Sequence, residues 1–515
     1  MTGSQWASGY VSEIDYTLGY YRELCPGLMD FALAYRGLGG LPRRPLRYLE
    51  LGFGQGLSIN IHAAANAGDF WGTDFNPSHA ARAKSLALAC GSGAVLLDDS
   101  FAELSARPDL PEFDVIALHG IWSWISDENR RIIVDLIRRK LAVGGVVYLS
   151  YNCLPGWAPA IPLRHLMTLH AETAGSDAQG VLGRMDQAFG FTQQVIDSGA
   201  AYFRANPSVV ERLKHIVAQN RQYLAHEYFT RDWHPMHFSA VAEMLSEAKL
   251  SYAAPAHLLD HIDMLNFSVE AKKLLDGIDH PVLKESVRDY VLNQQFRRDL
   301  FVKGARKLYP VERRERLLRQ RFVLTVADRD VPSKVKVAVG EANLQESIYG
   351  PIVEALAEDG RRPKSAGELA RNPRLKQLQP SQIVDALAVL VGAGSVHPAQ
   401  EGEVTVKART DALNAHLCNL ARSGDEIGYL VSPLTGGGIP VPRIHQLFLL
   451  AMAEGRRSRA EWAKYAWDAF AAQGQRLIKE GRTLESAEDN LAELAAQAEE
   501  FEARRVPVLR SLMTC

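Results

Sequence analysis

Short apolar runs and stretches with apolar residues at helical spacing alternate through the first third of the chain. Residues 46–51, 70–73, 94–97, 113–118 and 146–151 have the length and the β-branched or aromatic content of buried strands. Between them, 58–67 and the segment that Asn76 opens and Cys90 closes read as helices, and 101–104 reads as a shorter one. Ser126 caps a further helix. Asp127 and Glu128 lie in its first turn, Arg138, Arg139 and Lys140 near its end, and Ile133, Leu136, Ile137 and Leu141 form its buried stripe. Gly144 and Gly145 are expected to end it. Strands separated by helices in this way require right-handed crossovers and a parallel sheet, with a ligand outside the carboxyl ends of the strands.

Farther on, the pattern turns helical. Residues 161–174 and 186–220 read as helices, with a break at Asn206-Pro207, inside an insertion of about 158–235. An amphipathic helix at 238–248 precedes a sixth strand at 250–254. A second helical insertion at 266–319 then separates it from 321–326, the expected seventh strand. Residues 1–330 are therefore read as one α/β domain with helical insertions. Three helical segments follow at 345–358, 365–370 and 381–391, with a β-wing expected from 395–399 and 404–407. They make 331–410 a winged-helix-like module, and 411–515 is a helical C-terminal region whose residues 458–500 have the composition of solvated helices.

Composition narrows the class. With 515 residues, two to three domains are expected, and an apolar share of 47% with 23% charged residues is that of an ordinary soluble protein. The net charge of −2 provides no basic field for nucleic acid or anionic membrane, and the third helix of the winged-helix-like module has no Arg or Lys, so protein contact is its expected use. Cys25, Cys90, Cys153, Cys418 and Cys515 lie far apart and suggest neither a metal site nor a disulfide framework. With no signal-peptide pattern and no apolar run long enough to span a membrane, the expected location is the cytoplasm.

The densest chemistry follows the first strand. In YLELGFGQG, the acid Glu50 precedes three alternating glycines, Gly52, Gly54 and Gly56, and then a helix. Such a loop can be a plain turn. As a ligand site it allows close approach to the main chain and offers the free N–H groups of a helix N-terminus. The spacing is G-x-G-x-G, whereas the dinucleotide fingerprint is G-x-G-x-x-G. Asp74 lies 24 residues beyond Glu50, at the end of the second strand, where an acid accepts hydrogen bonds from ribose hydroxyls.

Together, E-L-G-F-G-Q-G and G-T-D-F-N resemble the first two motifs of class I S-adenosylmethionine-dependent methyltransferases. The resemblance implies a Rossmann-like sheet and S-adenosylmethionine as cofactor, held by Glu50, Gly52, Phe53, Gly54, Gly56, Asp74 and Phe75. It assigns the adenine amino contact to Asp99 and the framing of the ring to Ser100 and Phe101, where the residues alone suggest a helix N-cap. It also makes Tyr20 and Tyr21, in a segment that folds over the pocket in relatives, candidates for closing it; packing against the sheet edge is the alternative. The stretches L-H-G-I-W-S-W and S-Y-N-C-L-P-G-W flank the expected methyl position. There His119 is a candidate to accept a proton or hydrogen-bond the cofactor, and Tyr151 and Asn152 to orient an amine. Trp122 and Trp124 either wall a channel or belong to the core, and Asn-x-x-Pro-Gly is also a good turn. The (D/N)-P-P-(Y/F) pattern of adenine and glutamine-amide N-methyltransferases is absent.

Adding DDSF, LHGIWSWIS, SYNCLPGW and YLAHEYF, the chain resembles bacterial methyltransferases with an attached regulatory domain, among them the rickettsial outer-membrane-protein lysine methyltransferases. Phe53, Gln55 and Cys153 depart from that pattern. The resemblance implies a protein lysine as acceptor. A small metabolite is the alternative, and a non-catalytic binding protein that keeps the pocket is a third reading, against which the intact set of Glu50, the three glycines and Asp74 speaks.

Overall fold

A computed structural model describes residues 18–42, 45–175, 180–400 and 404–515. Seven strands form the main sheet: β1 (Leu46–Leu51), β2 (Gly68–Thr73), β3 (Val95–Leu97), β4 (Phe113–Leu118), β5 (Leu141–Asn152), β6 (Leu250–Pro255) and β7 (Phe296–Lys303). Their spatial order is β3-β2-β1-β4-β5-β7-β6. The first five are parallel, and β7 runs antiparallel between β5 and β6. The helices α1 (Pro26–Tyr35), α2 (Leu57–Ala65), α3 (Pro77–Cys90), α4 (Phe101–Ala106) and α5 (Asp127–Lys140) precede or connect the parallel strands.

Alternation along the strands sorts side chains into two cores. Leu49, Leu51, Ile116, Leu118, Val147, Leu149 and Tyr151 face α5 and the helix Phe238–Ser246. Tyr48, Val115, Ala117, Val146 and Tyr148 face α1 and the helices between residues 346 and 392. The winged-helix-like segment is thus layered on the sheet through α1. Its helix Pro380–Gly392 buries Ile383, Leu387 and Val391. The helices beyond residue 404 have a core of Leu413, Leu417, Phe448, Trp462, Leu494 and Phe501 that continues onto Leu57 and Ile61 of α2. Residues 458–500 are therefore solvated on one face only.

Four local expectations change. The seventh strand of the main sheet is Phe296–Lys303, inside the stretch read as a helical insertion, and not 321–326. Its Arg297, Arg298 and Asp299 look like surface residues in the sequence, but they are paired in the fold. Arg297 contacts Glu285, Asp289 and Asp299 at 2.9, 2.5 and 2.7 Å. Arg321–Leu324 instead joins Lys364–Ser365 and Val396–Ala399 in a small antiparallel sheet. Val404 to Lys407 is not a wing strand but the first turn of the helix Val404–Leu420. Gly144 and Gly145 do not end α5; they lie within β5, where its register against β4 shifts. Among the described residues, no helix is long and apolar enough to cross a membrane, and no cluster of His, Cys, Asp and Glu has the makings of a metal site.

Candidate functional site

The carboxyl ends of β1, β2, β4 and β5 open onto a cavity of about 820 Å³. Backbone bonds fix its first wall. The Gly52 N–H donates to Thr73 O at 2.8 Å and the Asp74 N–H to Leu97 O at 3.1 Å, so the turns after β1 and β2 are locked side by side. Asp74 completes the lock, with Oδ2 accepting from the Gly54 N–H at 2.9 Å and Oδ1 from the Asn76 N–H at 3.1 Å.

Two glycines show why the loop has its composition. Gly56 is the N-cap of α2 with φ of 78°, and a Cβ there would stand 2.3 Å from the Ala83 Cβ. Its role is close packing of α2 on α3, and it does not line the cavity. Gly54, at φ of 57°, would carry a Cβ that meets nothing within 4 Å, so its open side is cavity space.

The cavity wall contains Glu50, Gly52, Phe53, Gly54, Asp74, Phe75, Asp99, Ser100, Phe101, His119 and Asn152 from the sequence reading. Glu50 is buried, its Oε2 has no hydrogen-bond partner, and burial raises its carboxyl to about 8. An orphaned acid of this kind, beside an open glycine, fits a cationic group on a ligand. Asp99 is held by Arg107 at 3.2 Å. Ser100 caps α4 through a reciprocal box with Glu103, so the N-cap reading and the cavity position hold together.

His119 is largely buried, and desolvation lowers its pKa to about 4. Its Nδ1 lies 2.8 Å from the Tyr148 hydroxyl, and Tyr21 stacks on its ring at 3.8 Å. Burial raises the Tyr148 pKa and keeps its hydroxyl protonated, so hydroxyl and Nδ1 share one hydrogen whose direction follows the imidazole tautomer. Asn152 is buried with its Nδ2 unpartnered. Its backbone N–H donates to Ser123 Oγ at 2.8 Å, and its carbonyl accepts from the Met236 N–H at 3.0 Å. The loops after β4 and β5 are therefore stapled together and to the segment before Phe238.

Tyr151 is not brought to the cavity. Strand alternation turns it to the opposite face from Ser150 and Asn152, where its hydroxyl donates to Asp299 Oδ2 at 3.0 Å. Trp122 is core, whereas Trp124 lines the cavity. Tyr20 packs against His62 and Tyr429, leaving Tyr21 as the N-terminal tyrosine at the site.

Sequence reasoning missed the outer wall, which consists of Trp157, His226, Glu227, Thr230, Arg231, Asp232, Gln295 and Phe296. Trp157 lies under the Arg212 guanidinium at 3.8 Å and meets Trp233 edge-on at 5.1 Å. The YLAHEYF motif was the available signal for this wall. Among the described residues the lining carries six acidic side chains, of Glu50, Asp74, Asp99, Glu128, Glu227 and Asp232, against one guanidinium, of Arg231. Acidic side chains thus outnumber basic ones along the wall, with Glu50 protonated near neutral pH and Asp99 and Asp232 paired with Arg107 and Arg231.

Comparisons with known proteins agree with this architecture. The protein sll1526 of Synechocystis sp. (strain ATCC 27184 / PCC 6803 / Kazusa) is 41% identical over 512 residues, covering 98% of this chain and 99% of the relative. RP789 of Rickettsia prowazekii is 25% identical over 205 residues, 40% of this chain and 34% of its own length. The family described as "Predicted methyltransferase regulatory domain" matches residues 220–303, which include β6, β7 and part of the outer wall. The fold is that of PKMT2 from Rickettsia typhi in complex with AdoHcy. The TM-score is 0.70 at 17% identity, over 97% of this chain and 100% of that one.

Proposed function

Since the chain belongs to the family of bacterial class I methyltransferases that carry a methyltransferase regulatory domain, we propose that it transfers the methyl group of S-adenosylmethionine to a lysine side chain of a protein. The observation that carries this reading is the excess of acidic side chains on the cavity wall, six to one guanidinium, with the buried Glu50 carboxyl open to a cationic cofactor and the outer acids to a cationic acceptor. The similar PKMT2 structure holds AdoHcy, the demethylated product of that cofactor.

When bound, S-adenosylmethionine would supply an electrophilic sulfonium methyl to an amine lone pair approaching in line, the carbon–sulfur bond breaking and the thioether departing. The residues of this chain hold and shield the two reactants. The open side of Gly54 and the unpaired Glu50 oxygen accommodate the amino-acid end, and Asp74 accepts from the ribose hydroxyls. Asp99, Ser100 and Phe101 border the adenine. His119 borders the cavity with its ring held by Tyr148 and Tyr21. With a pKa of about 4 it is a poor base for a lysine ammonium near 10.4, which must lose its proton before attack. The Asn152 amide and the Trp124 and Trp157 rings border the acceptor's path, where a desolvated amine loses its proton more readily.

The test is methyl transfer from radiolabelled S-adenosylmethionine into a lysate of the producing organism. We expect label in protein that survives nuclease, is released by protease and appears as Nε-methyl-lysine after acid hydrolysis. Label confined to small molecules would replace the acceptor, and no label with bound cofactor would point to the non-catalytic reading.

A further inference from the structure

Tyr21, Arg22 and Glu23 are consecutive, yet their side chains reach three different parts of the molecule. The Tyr21 ring covers the face of His119 and lines the cavity, while its N–H donates to Ser58 Oγ of α2 at 3.0 Å. Arg22 donates through Nη2 to Val391 O at 2.8 Å, at the carboxyl end of the helix Pro380–Gly392, where the helix dipole favours a cation. Glu23 is buried, and its Oε1 accepts from Arg298 Nη1 at 2.8 Å and lies 3.1 Å from His257 Nδ1.

Both partners of Glu23 lie within residues 220–303. Arg298 follows Phe296 by two positions on β7, and Phe296 meets His119 edge-on at 6.2 Å. The strand that brings Phe296 to His119 thus also holds the residue two places after Tyr21. Burial alone would raise the Glu23 carboxyl, but the His257 hydrogen bond and the Arg298 charge hold it well below the usual carboxylate range. The clasp is therefore ionic at neutral pH and has no slack, because Arg22–Leu24 is a single tight turn.

We propose that Arg22 and Glu23 are positioning residues that couple residues 220–303 and the helix Pro380–Gly392 to the cavity by keeping Tyr21 stacked on His119. Loss of either anchor frees the turn, moves the ring and weakens the adenosyl site. The inference rests on the reading of the cavity as that site, and it identifies the point through which the matched regulatory segment acts on it.

A double-mutant cycle on the full-length protein tests this, with calorimetric binding of S-adenosylhomocysteine as the readout. Glu23→Gln and Tyr21→Leu should each raise Kd by about tenfold, from loss of charge-assisted bonds and of the stacked ring respectively. The double variant should be no weaker than the worse single one, because both act through the same ring, and Tyr21→Phe should bind within about twofold of wild type. Arg22→Met approaches from the other anchor and should show the same coupling if Glu23→Gln folds poorly. Additive losses, or an unchanged Kd in folded Glu23→Gln or Arg22→Met, would overturn the coupling alone. Failure of the wild-type protein to bind the probe would overturn the adenosyl reading with it.

Discussion

The two halves of the cavity are built in different ways. The half next to β1 and β2 comes from residues 50–102 with Tyr21 beside it, and main-chain hydrogen bonds between adjacent strand ends fix its shape. The half next to β4 and β5 is a collection of side chains from residues 119–157, 226–232 and 295–296, brought together by two insertions and an antiparallel strand. Backbone-built walls depend on short sequence spacing and tolerate little change. Side-chain walls depend on tertiary packing and can be altered without disturbing the sheet or the loop after β1.

The most severe break in that comparison is Gly54→Val. Its side chain would enter cavity space at a φ that also strains a β-branched residue. We expect S-adenosylmethionine binding to be lost in calorimetry while circular dichroism still reports a folded sheet. Near-normal affinity in a folded variant would show that the first half is not set by the loop backbone, and the contrast would fail.

Asp74→Ala sharpens the contrast at a side chain that serves the backbone. It removes the acceptor of the Gly54 and Asn76 N–H groups together with the proposed ribose contact. Loss of charge-assisted bonds worth roughly 1.5–3 kcal/mol should weaken cofactor binding by on the order of tenfold to a hundredfold. An unchanged dissociation constant would remove Asp74 from the site.

The same difference explains what the sequence made legible. Glu50, Gly52, Gly54, Asp74 and Asp99 could be placed at the cavity because strand, loop and helix follow one another within a few residues, whereas Gly56 serves helix packing. His119 and Asn152 could be placed because strand ends point at the ligand in any parallel sheet. The outer wall could not, because nothing local to Phe296 announces it, and the YLAHEYF motif around His226 has no strand-loop-helix order to tie it to the site. Strand β7 was hidden by its own charges: FRRDLFVK reads as surface until Glu285 and Asp289 are seen beside Arg297. RFVLTV, which is more apolar, attracted the assignment instead. Tyr151 was misdirected by one residue of strand alternation, a distinction its neighbours Ser150 and Asn152 already carried.

Glu50 gives a pH test of the backbone-built half. Its folded pKa of about 8 lies above the usual carboxylate value because the charged form is desolvated. The folded free protein therefore binds a proton that the unfolded chain releases near 4.3. The stability this contributes is complete below that value and is lost as pH rises to about 8. A ligand ammonium that pairs with the ionised form must drive this proton off, so affinity for S-adenosylhomocysteine should increase by roughly fiftyfold between pH 6 and 8. Glu50→Gln should flatten both dependences. A wild-type binding curve as flat as that of the variant would mean the acid does not meet the ligand.

The smallest effect on the site is expected from Tyr151→Phe, and it tests where the acceptor half ends. The hydroxyl donates to Asp299 in a buried cluster that also contains Arg297, Asp289, Glu285 and Cys153. Burial raises the Asp289 carboxyl to about 6 and keeps the Tyr151 phenol protonated. Removing the hydroxyl deprives Asp299 of one donor and leaves it the Arg297 guanidinium, so the variant should lose about 1.5–3 kcal/mol of stability. Cofactor affinity should hold, and turnover should stay within about twofold of wild type, because no group that lines the cavity has changed. Thermal unfolding measured beside initial rates separates the outcomes. A lower melting temperature with near-normal turnover assigns the hydroxyl to the clamp between β5 and β7. A large loss of turnover at unchanged melting temperature would instead carry the acceptor half through to the opposite face of β5, and the boundary drawn here between the cavity wall and its buried support would have to move.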